Sequence, residues 1–202
     1  FRSRDIVTVV LTGGPDGDVA GNAIKVLSRE YGDNVRIVGV ADGTGSAEDP
    51  RGLPRHELLR LVAEGHGIAE CRSEELSDDG RVLAIGEQGG LAARNTLPFR
   101  LSADALLPCG GRPGTINESN WTELLDERGT PKVSVIVEGA NLFVTTGARR
   151  LLDLEKGVVV VKDSSANKCG VICSSFEIAA AHLVDAATFL RIKEQFEIGR
   201  AH

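Results

Sequence analysis

The sequence has no excess of positive charge and no long hydrophobic run. Its 202 residues include 23 lysines and arginines against 29 aspartates and glutamates, giving a net charge of −6. A protein that binds nucleic acid by neutralising phosphates needs a basic surface, so this balance argues against nucleic acid as a partner. No apolar run approaches the roughly 20 residues that span a bilayer, so we also expect no membrane association. With 42% hydrophobic and 26% charged residues, the composition is that of a globular chain.

Methionine is absent, and the chain begins with Phe1-Arg2-Ser3-Arg4. From this we expect the sequence to be a piece of a longer protein. The start of such a piece carries no information about targeting, so the compartment stays open between cytoplasm and mitochondrion.

Cysteine pairs of the kind that bind zinc are also absent. The four cysteines form no C-x-x-C pair, and the four histidines are not spaced to complete a site. We therefore predict reduced thiols and no metal at Cys71, Cys109, Cys169 and Cys173.

Strand and helix patterns alternate along most of the chain, which predicts an α/β fold with a mainly parallel sheet and helices on both faces. The predicted strands cover residues 6–11, 35–40, 82–85, 105–107, 133–137 and 158–161. The predicted helices start near residues 19, 55, 120 and 146, and a long C-terminal helix includes residues 174–202. Residues 43–54 are predicted as a turn-rich loop, and residues 65–100 as irregular apart from one short strand.

The first predicted strand runs into the glycine-rich turn of residues 13–22, which leads into a helix. A helix start leaves backbone N–H groups unpaired, and the helix dipole favours an anion there. The turn is therefore predicted to hold the pyrophosphate of a nucleotide. Its glycine spacing is irregular, and Ala20 takes the place of the third glycine in the usual G-x-G-x-x-G pattern. Without the later motifs, the alternative is an anion-binding loop for another phosphate ligand.

Asp42 ends the second predicted strand, 25 positions after Gly17. This is where a dinucleotide-binding fold puts the carboxylate that accepts hydrogen bonds from the ribose hydroxyls. Such a carboxylate repels a 2′-phosphate, so NAD is favoured over NADP. The alternative is an aspartate that only stabilises the turn before Gly43.

Three further polar segments, around Gly110, Asn141 and Asn167, each follow a predicted strand. Open α/β sheets bind ligands at the carboxyl ends of their strands, so these segments, the glycine turn and Asp42 are expected to meet at one edge. The sequence therefore predicts a Rossmann-like fold, with residues 1–202 forming a single dinucleotide-binding domain.

Four segments together resemble the cofactor-binding half of glutamate dehydrogenases, and most of all the large NAD-specific subclass. They are residues 13–22, 103–113, 136–141 and 163–177, and the resemblance covers nearly the whole chain. It implies a homo-oligomeric oxidoreductase that uses NAD to interconvert L-glutamate and 2-oxoglutarate plus ammonia by hydride transfer.

The resemblance also implies roles for individual residues. Asn141 and Asn167 match asparagines near the nicotinamide, and Ser174 matches a serine that contacts the far carboxylate of glutamate. The full set of implied cofactor-binding residues is Gly14, Gly17, Asp18, Val19, Asp42, Cys109, Gly110, Asn117, Asn141 and Asn167.

No catalytic residue is assigned, because the family carries its catalytic lysine and aspartate in a substrate lobe that precedes this region. The chain alone is therefore expected to bind cofactor without performing chemistry, since hydride transfer needs the substrate held against the nicotinamide. In the complete enzyme, the C-terminal helix would pack toward that lobe. Exposed apolar surface on this helix is a prediction of that interpretation.

Several alternatives stay open. Ser174 also starts a capping-box pattern, and Asn141 and Asn167 are also typical turn residues. Asp16 and Asp18 are candidate helix N-caps. At the level of function, the alternatives are a non-catalytic nucleotide-binding or regulatory module, since fold alone does not fix function, and a methyltransferase.

Overall fold

A computed structural model describes residues 6–196 of the chain. The strands are β1 (Val7–Thr12), β2 (Val35–Ala41), β3 (Gly45–Glu48), β4 (Arg81–Ala84), β5 (Ala105–Pro108), β6 (Val135–Val137) and β7 (Val159–Val161). The helices are α1 (Asp18–Glu30), α2 (Arg55–Glu64), α3 (Gly90–Arg100), α4 (Thr146–Lys156), α5 (Asp163–Ala166), α6 (Cys169–Leu183) and α7 (Ala186–Phe196).

The strands form one seven-stranded sheet in the order β4-β3-β2-β1-β5-β6-β7. Strands β2, β1, β5, β6 and β7 are parallel to one another. At one edge, β3 pairs antiparallel with β2, and β4 pairs antiparallel with β3. β1 lies at the centre, and the chain order reverses on either side of it. This confirms the predicted Rossmann-like α/β fold and places the expected ligand edge at the carboxyl ends of the parallel strands.

Alternate residues of β1 supply the two layers of the core. Val9 and Leu11 face one side, where they pack with Ile24 of α1 and with α2. Val10 faces the other side and joins a cluster that includes Leu97 of α3. Because side chains alternate along a strand, a strand buried on both faces reads as the continuous apolar run from which β1 was predicted.

Two elements of the structure were not predicted from the sequence. The loop predicted at residues 43–54 contains β3, and the irregular stretch predicted at 65–100 contains α3 as well as its short strand. β3 carries buried Ser46 and Glu48 in place of an apolar stripe, so it gives no hydrophobic signal. Helix α3 contains Pro98, which normally argues against a helix interior.

The helix predicted near residue 120 is wrong, because that region forms only a short 3₁₀ turn at Trp121–Leu124. The Asn120 side chain does not cap a helix: its Oδ1 accepts from the Asn117 N–H at 2.8 Å and its Nδ2 donates to the Thr115 carbonyl. These bonds stabilise a turn and not the start of a helix. By contrast, α4 begins near residue 146 as predicted, and Thr145 caps it, since its hydroxyl accepts from the Ala148 N–H at 3.2 Å.

The single C-terminal helix predicted over residues 174–202 is also wrong, because the structure divides residues 174–196 between α6 and α7. Helix α6 ends at Leu183, and Asp185 starts α7 by accepting from the Thr188 N–H at 2.9 Å. Residues 197–202 of the predicted helix lie outside the described residues.

The predicted apolar surface is present on α6, none of whose residues is buried. Its exposed side chains include Val171, Phe176, Ile178 and Leu183. Within residues 6–196, no helix is both long and apolar enough to cross a membrane. The same residues contain no cluster of three or more histidine, cysteine or acidic side chains that could hold a metal ion.

Candidate functional site

The glycine turn sits directly on the loop that follows β5. Gly13 has a φ of +93°, and a side chain there would come within 2.9 Å of the Cys109 carbonyl carbon. A Cβ at Gly110 would likewise lie 2.9 Å from the Cα of Gly13. Only glycine combines this conformation with so close a backbone approach, so the two loops are locked together at the sheet edge.

Helix α1 begins at Asp18 with Gly17 as its N-cap, and no side chain caps it. The interpretation of Asp16 and Asp18 as N-caps is therefore wrong. The first N–H groups of α1 stay available to an anion, as the phosphate prediction requires.

Gly21 lets the first turn of α1 pack closely on the glycine turn. A Cβ at residue 21 would lie 2.6 Å from the Pro15 carbonyl oxygen. The close packing of α1 against the turn therefore depends on Gly21, while Ala20, at the third position of the glycine pattern, is buried.

The Asp42 carboxylate is buried beside the glycine turn, with 6% of the residue exposed. Its Oδ1 accepts from the Thr44 N–H at 2.7 Å, from the Thr44 hydroxyl and from the Gly45 N–H. Its Oδ2 accepts from the Ile68 N–H at 2.7 Å and points at Gly14, where a Cβ would overlap it. Asp42 therefore does stabilise the turn, and because each carboxylate oxygen has about two acceptor positions, one position on Oδ2 remains for a further donor.

Asp42 and the glycine turn border a cavity of about 600 Å³ at the carboxyl edge of the sheet. Of the implied cofactor residues, Gly14, Asp42 and Gly110 line it. The neighbouring turn contributes Asp16, whose carboxylate also faces Gly14. The cavity is thus acidic beside Gly14, where a hydroxyl donor is favoured and a further anion is not.

Helix α3 forms a wall of this cavity that sequence reasoning missed. Leu91, Arg94 and Asn95 project from it. The half-buried Arg94 donates from Nε to the Asp42 carbonyl at 2.7 Å and from Nη1 to the Asn95 side chain at 2.8 Å. These bonds fix the guanidinium beside the end of β2. The only sequence signal for this wall was the run of helix-forming residues that follows Gly90.

Cys109 and Asn117 lie near the cavity without lining it. Burial raises the pKa of the Cys109 thiol to about 12, so it stays protonated and unreactive at neutral pH. The Asn117 side chain accepts from Ser119 and donates to the Gly114 carbonyl at 3.0 Å, so it holds its own turn.

Asn141 and Asn167 come together as expected. Asn167 Nδ2 donates to Asn141 Oδ1 at 2.7 Å and to the Gly139 carbonyl at 3.1 Å. Val19, at the start of α1, reaches the same loop, since a Cβ at Gly139 would lie 3.0 Å from its Cγ1. The pair does not line the cavity beside Asp42, but the pair and the cavity both adjoin the start of α1.

Two buried carboxylates hold the loop that carries Asn141. Glu138 Oε1 accepts from the Val144 N–H at 2.7 Å, and Asp163 Oδ2 accepts from the Leu142 N–H at 2.9 Å. The Leu142 and Ser164 N–H bonds keep the pKa of Asp163 below its usual range, with help from Lys162 and Arg149. Leu142 adopts a positive φ of 57° between these two anchors.

Ser174 lies in the interior of α6 and is exposed. It therefore does not cap a helix, and the alternative interpretation of Ser174 as a helix cap is wrong. It lines neither the cavity beside Asp42 nor the Asn141 and Asn167 pair, so its predicted contact with substrate stays a prediction.

The sequence profile of the Glutamate/Leucine/Phenylalanine/Valine dehydrogenase family matches residues 4–200. A probable NAD-specific glutamate dehydrogenase of Schizosaccharomyces pombe is 43% identical over 194 residues, covering 91% of this chain and 17% of the relative. Glutamate dehydrogenase 2 of Dictyostelium discoideum is 36% identical, covering 94% of this chain and 19% of the relative. The chain therefore spans about a fifth of the length of these relatives.

Among solved structures, glutamate dehydrogenase 2 of Plasmodium falciparum superposes with a TM-score of 0.61 at 18% identity. The match covers 94% of this chain and 38% of that one. At this identity, the likeness supports the fold.

Proposed function

Since this chain belongs to the Glutamate/Leucine/Phenylalanine/Valine dehydrogenase family, we propose that it is the NAD-binding part of a glutamate dehydrogenase. The observation that carries the proposal is the cavity of about 600 Å³ between the glycine turn, Asp42 and α3. The uncapped N-terminus of α1 supplies donors for a pyrophosphate, and the Asn141 and Asn167 pair supplies amides for the carboxamide of the nicotinamide.

The carboxylates favour NAD over NADP. Asp42 Oδ2 and Asp16 Oδ1 both face Gly14, and the facing Arg94 is already bonded to the Asp42 carbonyl and to Asn95. Ribose hydroxyls can donate to these carboxylates, whereas a 2′-phosphate would meet two negative charges. The names of the relatives as NAD-specific glutamate dehydrogenases support the same preference.

In the complete protein, NAD would accept a hydride from L-glutamate, yielding 2-oxoglutarate and ammonia. The described residues would bind and orient the cofactor, and the substrate lobe would supply the acid–base chemistry. A homo-oligomeric complete enzyme belongs to the same proposal.

A titration of the 202-residue chain with NADH and NADPH, followed by nicotinamide fluorescence, tests the proposal. We expect tighter binding of NADH, and we expect Asp42→Ala to narrow the difference. Because that change leaves buried N–H groups without an acceptor, Asp42→Asn serves as a second variant that keeps the shape. Asp49→Asn is the matched control, since Asp49 is equally buried, accepts from Ser77 and Arg51, and lines no part of the cavity.

Equal affinity of the unchanged chain for the two cofactors, or affinity for neither, would overturn the cofactor assignment. The catalytic part has its own test, which is glutamate-dependent NAD reduction by this chain fused to a family substrate lobe. A folded but inactive fusion would support the non-catalytic binding module instead.

A further inference from the structure

A second cavity, of about 570 Å³, lies at the amino ends of β1 and β2, between the end of α1 and the start of α2. This is the opposite edge of the sheet from the cavity beside Asp42, and the two cavities share no lining residue. Three arginines and His56 line the second cavity, against one acidic residue, Asp33. In a chain with a net charge of −6, this local excess of positive charge favours an anionic ligand.

Arg36 brings an unused guanidinium to this cavity. It lies on β2, and within residues 6–196 its side chain makes no hydrogen bond or ion pair. Its stem packs on Gly52, where a Cβ would lie 3.2 Å from the Arg36 Cβ. Gly52 has a φ of +98°, and its N–H donates to the Asp49 carbonyl at 2.9 Å. The turn at Gly52 therefore holds the stem of Arg36 in place, while the charged end stays available.

Arg51 directly precedes Gly52 and brings a second guanidinium. Its N–H donates to Oδ1 of the buried Asp49 at 2.8 Å, so its backbone is fixed beside the cavity. The Asp49 oxygens also accept from Ser77. In the described part of the chain, the Arg51 guanidinium makes no hydrogen bond or ion pair. Two uncommitted guanidinium groups therefore project from adjoining points of the cavity wall.

The other charged side chains of the cavity are already paired. Arg55 donates to Asp33 Oδ1 at 2.7 Å, and His56 Nε2 lies 3.1 Å from Glu75 Oε2. Asp33 is the one carboxylate among the described lining residues, and its negative charge is offset by Arg55. An anion that enters this cavity thus meets free cations and no unpaired carboxylate of the lining.

Apolar side chains form much of the remaining wall of the cavity. Those that are partly open to solvent are Ile6, Leu27, Val35 and Leu59. A ligand with an apolar body would remove this surface from water, whereas a bare inorganic ion would leave it exposed. The cavity therefore combines a cationic part with an apolar part.

We propose that this cavity binds a phosphate monoester with a compact apolar body, such as an aryl phosphate. The phosphate would accept from Arg36 and Arg51, and the body would lie on Leu27 and Leu59. A phosphate monoester carries a charge of about −1.5 to −2 at pH 7 and three acceptor oxygens, so it matches two guanidinium groups. A carboxylate carries one negative charge and would leave one of the two cations without a partner.

Calorimetric titration of the 202-residue chain with phenyl phosphate tests this proposal. Inorganic phosphate lacks the apolar body, phenol lacks the charge, and benzoate carries one negative charge instead of two. Each of the three should therefore bind about tenfold more weakly or worse. No saturable heat from phenyl phosphate, or equal affinity for any of the three comparison compounds, would overturn the proposal.

Three variants assign the binding to this cavity and not to the glycine turn. Arg36→Gln and Arg51→Gln should each weaken phenyl phosphate by about tenfold or more, because each removes a charged donor and breaks no side-chain bond of the described chain. Arg128→Gln is the matched control, since Arg128 is exposed in a turn and lines neither cavity, and it should leave the affinity unchanged. Unchanged binding by Arg36→Gln or Arg51→Gln, or an equal loss in the control, would contradict the assignment whatever the NADH titration shows.

Discussion

Among single residues, Leu142 carries the clearest backbone strain near the candidate site. It is the one non-glycine residue with a positive φ in the described part of the chain. The left-handed conformation costs an L-residue about 1–2 kcal/mol, so the bonds from the Leu142 and Val144 N–H groups to Asp163 and Glu138 must hold it in place. The loop that carries Asn141 is therefore fixed by buried carboxylates.

Leu142→Gly should raise the free energy of unfolding by up to about 1 kcal/mol, measured by urea denaturation. Glycine removes the cost of the left-handed conformation, and the greater freedom of the unfolded chain offsets only part of that gain. Leu154→Gly is the control, because Leu154 is exposed in the interior of α4, and it should lose about 1 kcal/mol. Equal losses in both variants would show that Leu142 is not strained.

Which residues form the candidate site was predictable from the sequence only in part. Counting from Gly17 placed Asp42 correctly at the end of a strand, because strand length and turn position are local properties. Its bond to the Ile68 N–H is not local, since it joins residues 26 positions apart through a 3₁₀ turn that has no sequence signature. The bond from the Leu142 N–H to Asp163 likewise joins residues 21 positions apart, and no motif describes it.

At the scale of secondary-structure elements, α3 shows why local sequence patterns did not predict the structure in the middle of the chain. Apart from Gly90, its buried residues are the consecutive Leu97, Pro98 and Phe99, which give no helical period. The helix exists because it packs on β2 and β3 and closes the cavity beside Asp42. Strands β1, β2 and β5 were predictable because their apolar runs are buried on both faces.

The docking of α3 depends on Gly90, because a Cβ there would overlap the carbonyl oxygen of Ala84. Gly90→Ala should therefore lower the free energy of unfolding by about 2–3 kcal/mol and weaken NADH binding, since Arg94 and Leu91 would shift with the helix. Gly86→Ala is the matched control, because nothing lies within 4 Å of a Cβ at that position and its φ is not positive. We expect Gly90→Ala and Gly86→Ala to differ strongly in urea midpoint and in NADH affinity. Similar values for the two variants would mean that α3 can shift without loss of stability or binding.

At the scale of the whole molecule, the convergence of loops on one sheet edge was predictable from the alternation of strands and helices. The exposure of α6 was predicted from the family resemblance and not from its own sequence, which is apolar around the whole helix and by itself indicates burial. The structure leaves this helix exposed, with packing mainly against α7. The apolar side chains of α6 are thus exposed to solvent in the folded chain.

That surface should bind a hydrophobic fluorescent dye and promote self-association of the chain. Phe176→Lys should reduce both dye fluorescence and the apparent mass in size-exclusion chromatography, with a change in unfolding free energy within about 0.5 kcal/mol, because Phe176 is 71% exposed. Leu154→Lys provides the comparison, since Leu154 is as exposed but lies alone on α4. If both variants lower dye binding to the same extent, the patch on α6 is not the site.

The sheet ends at β7, which pairs only with β6 within the described residues. The free backbone edge of β7 offers hydrogen-bonding groups to a strand of another molecule, and Val159 of β7 is more than half exposed. Yet β7 is only three residues long, and Lys156 and Lys162 stand on either side of it. A second copy of the chain that tried to extend the sheet would gain few hydrogen bonds and bring like charges together, so this edge resists the β-sheet aggregation to which open α/β sheets are liable.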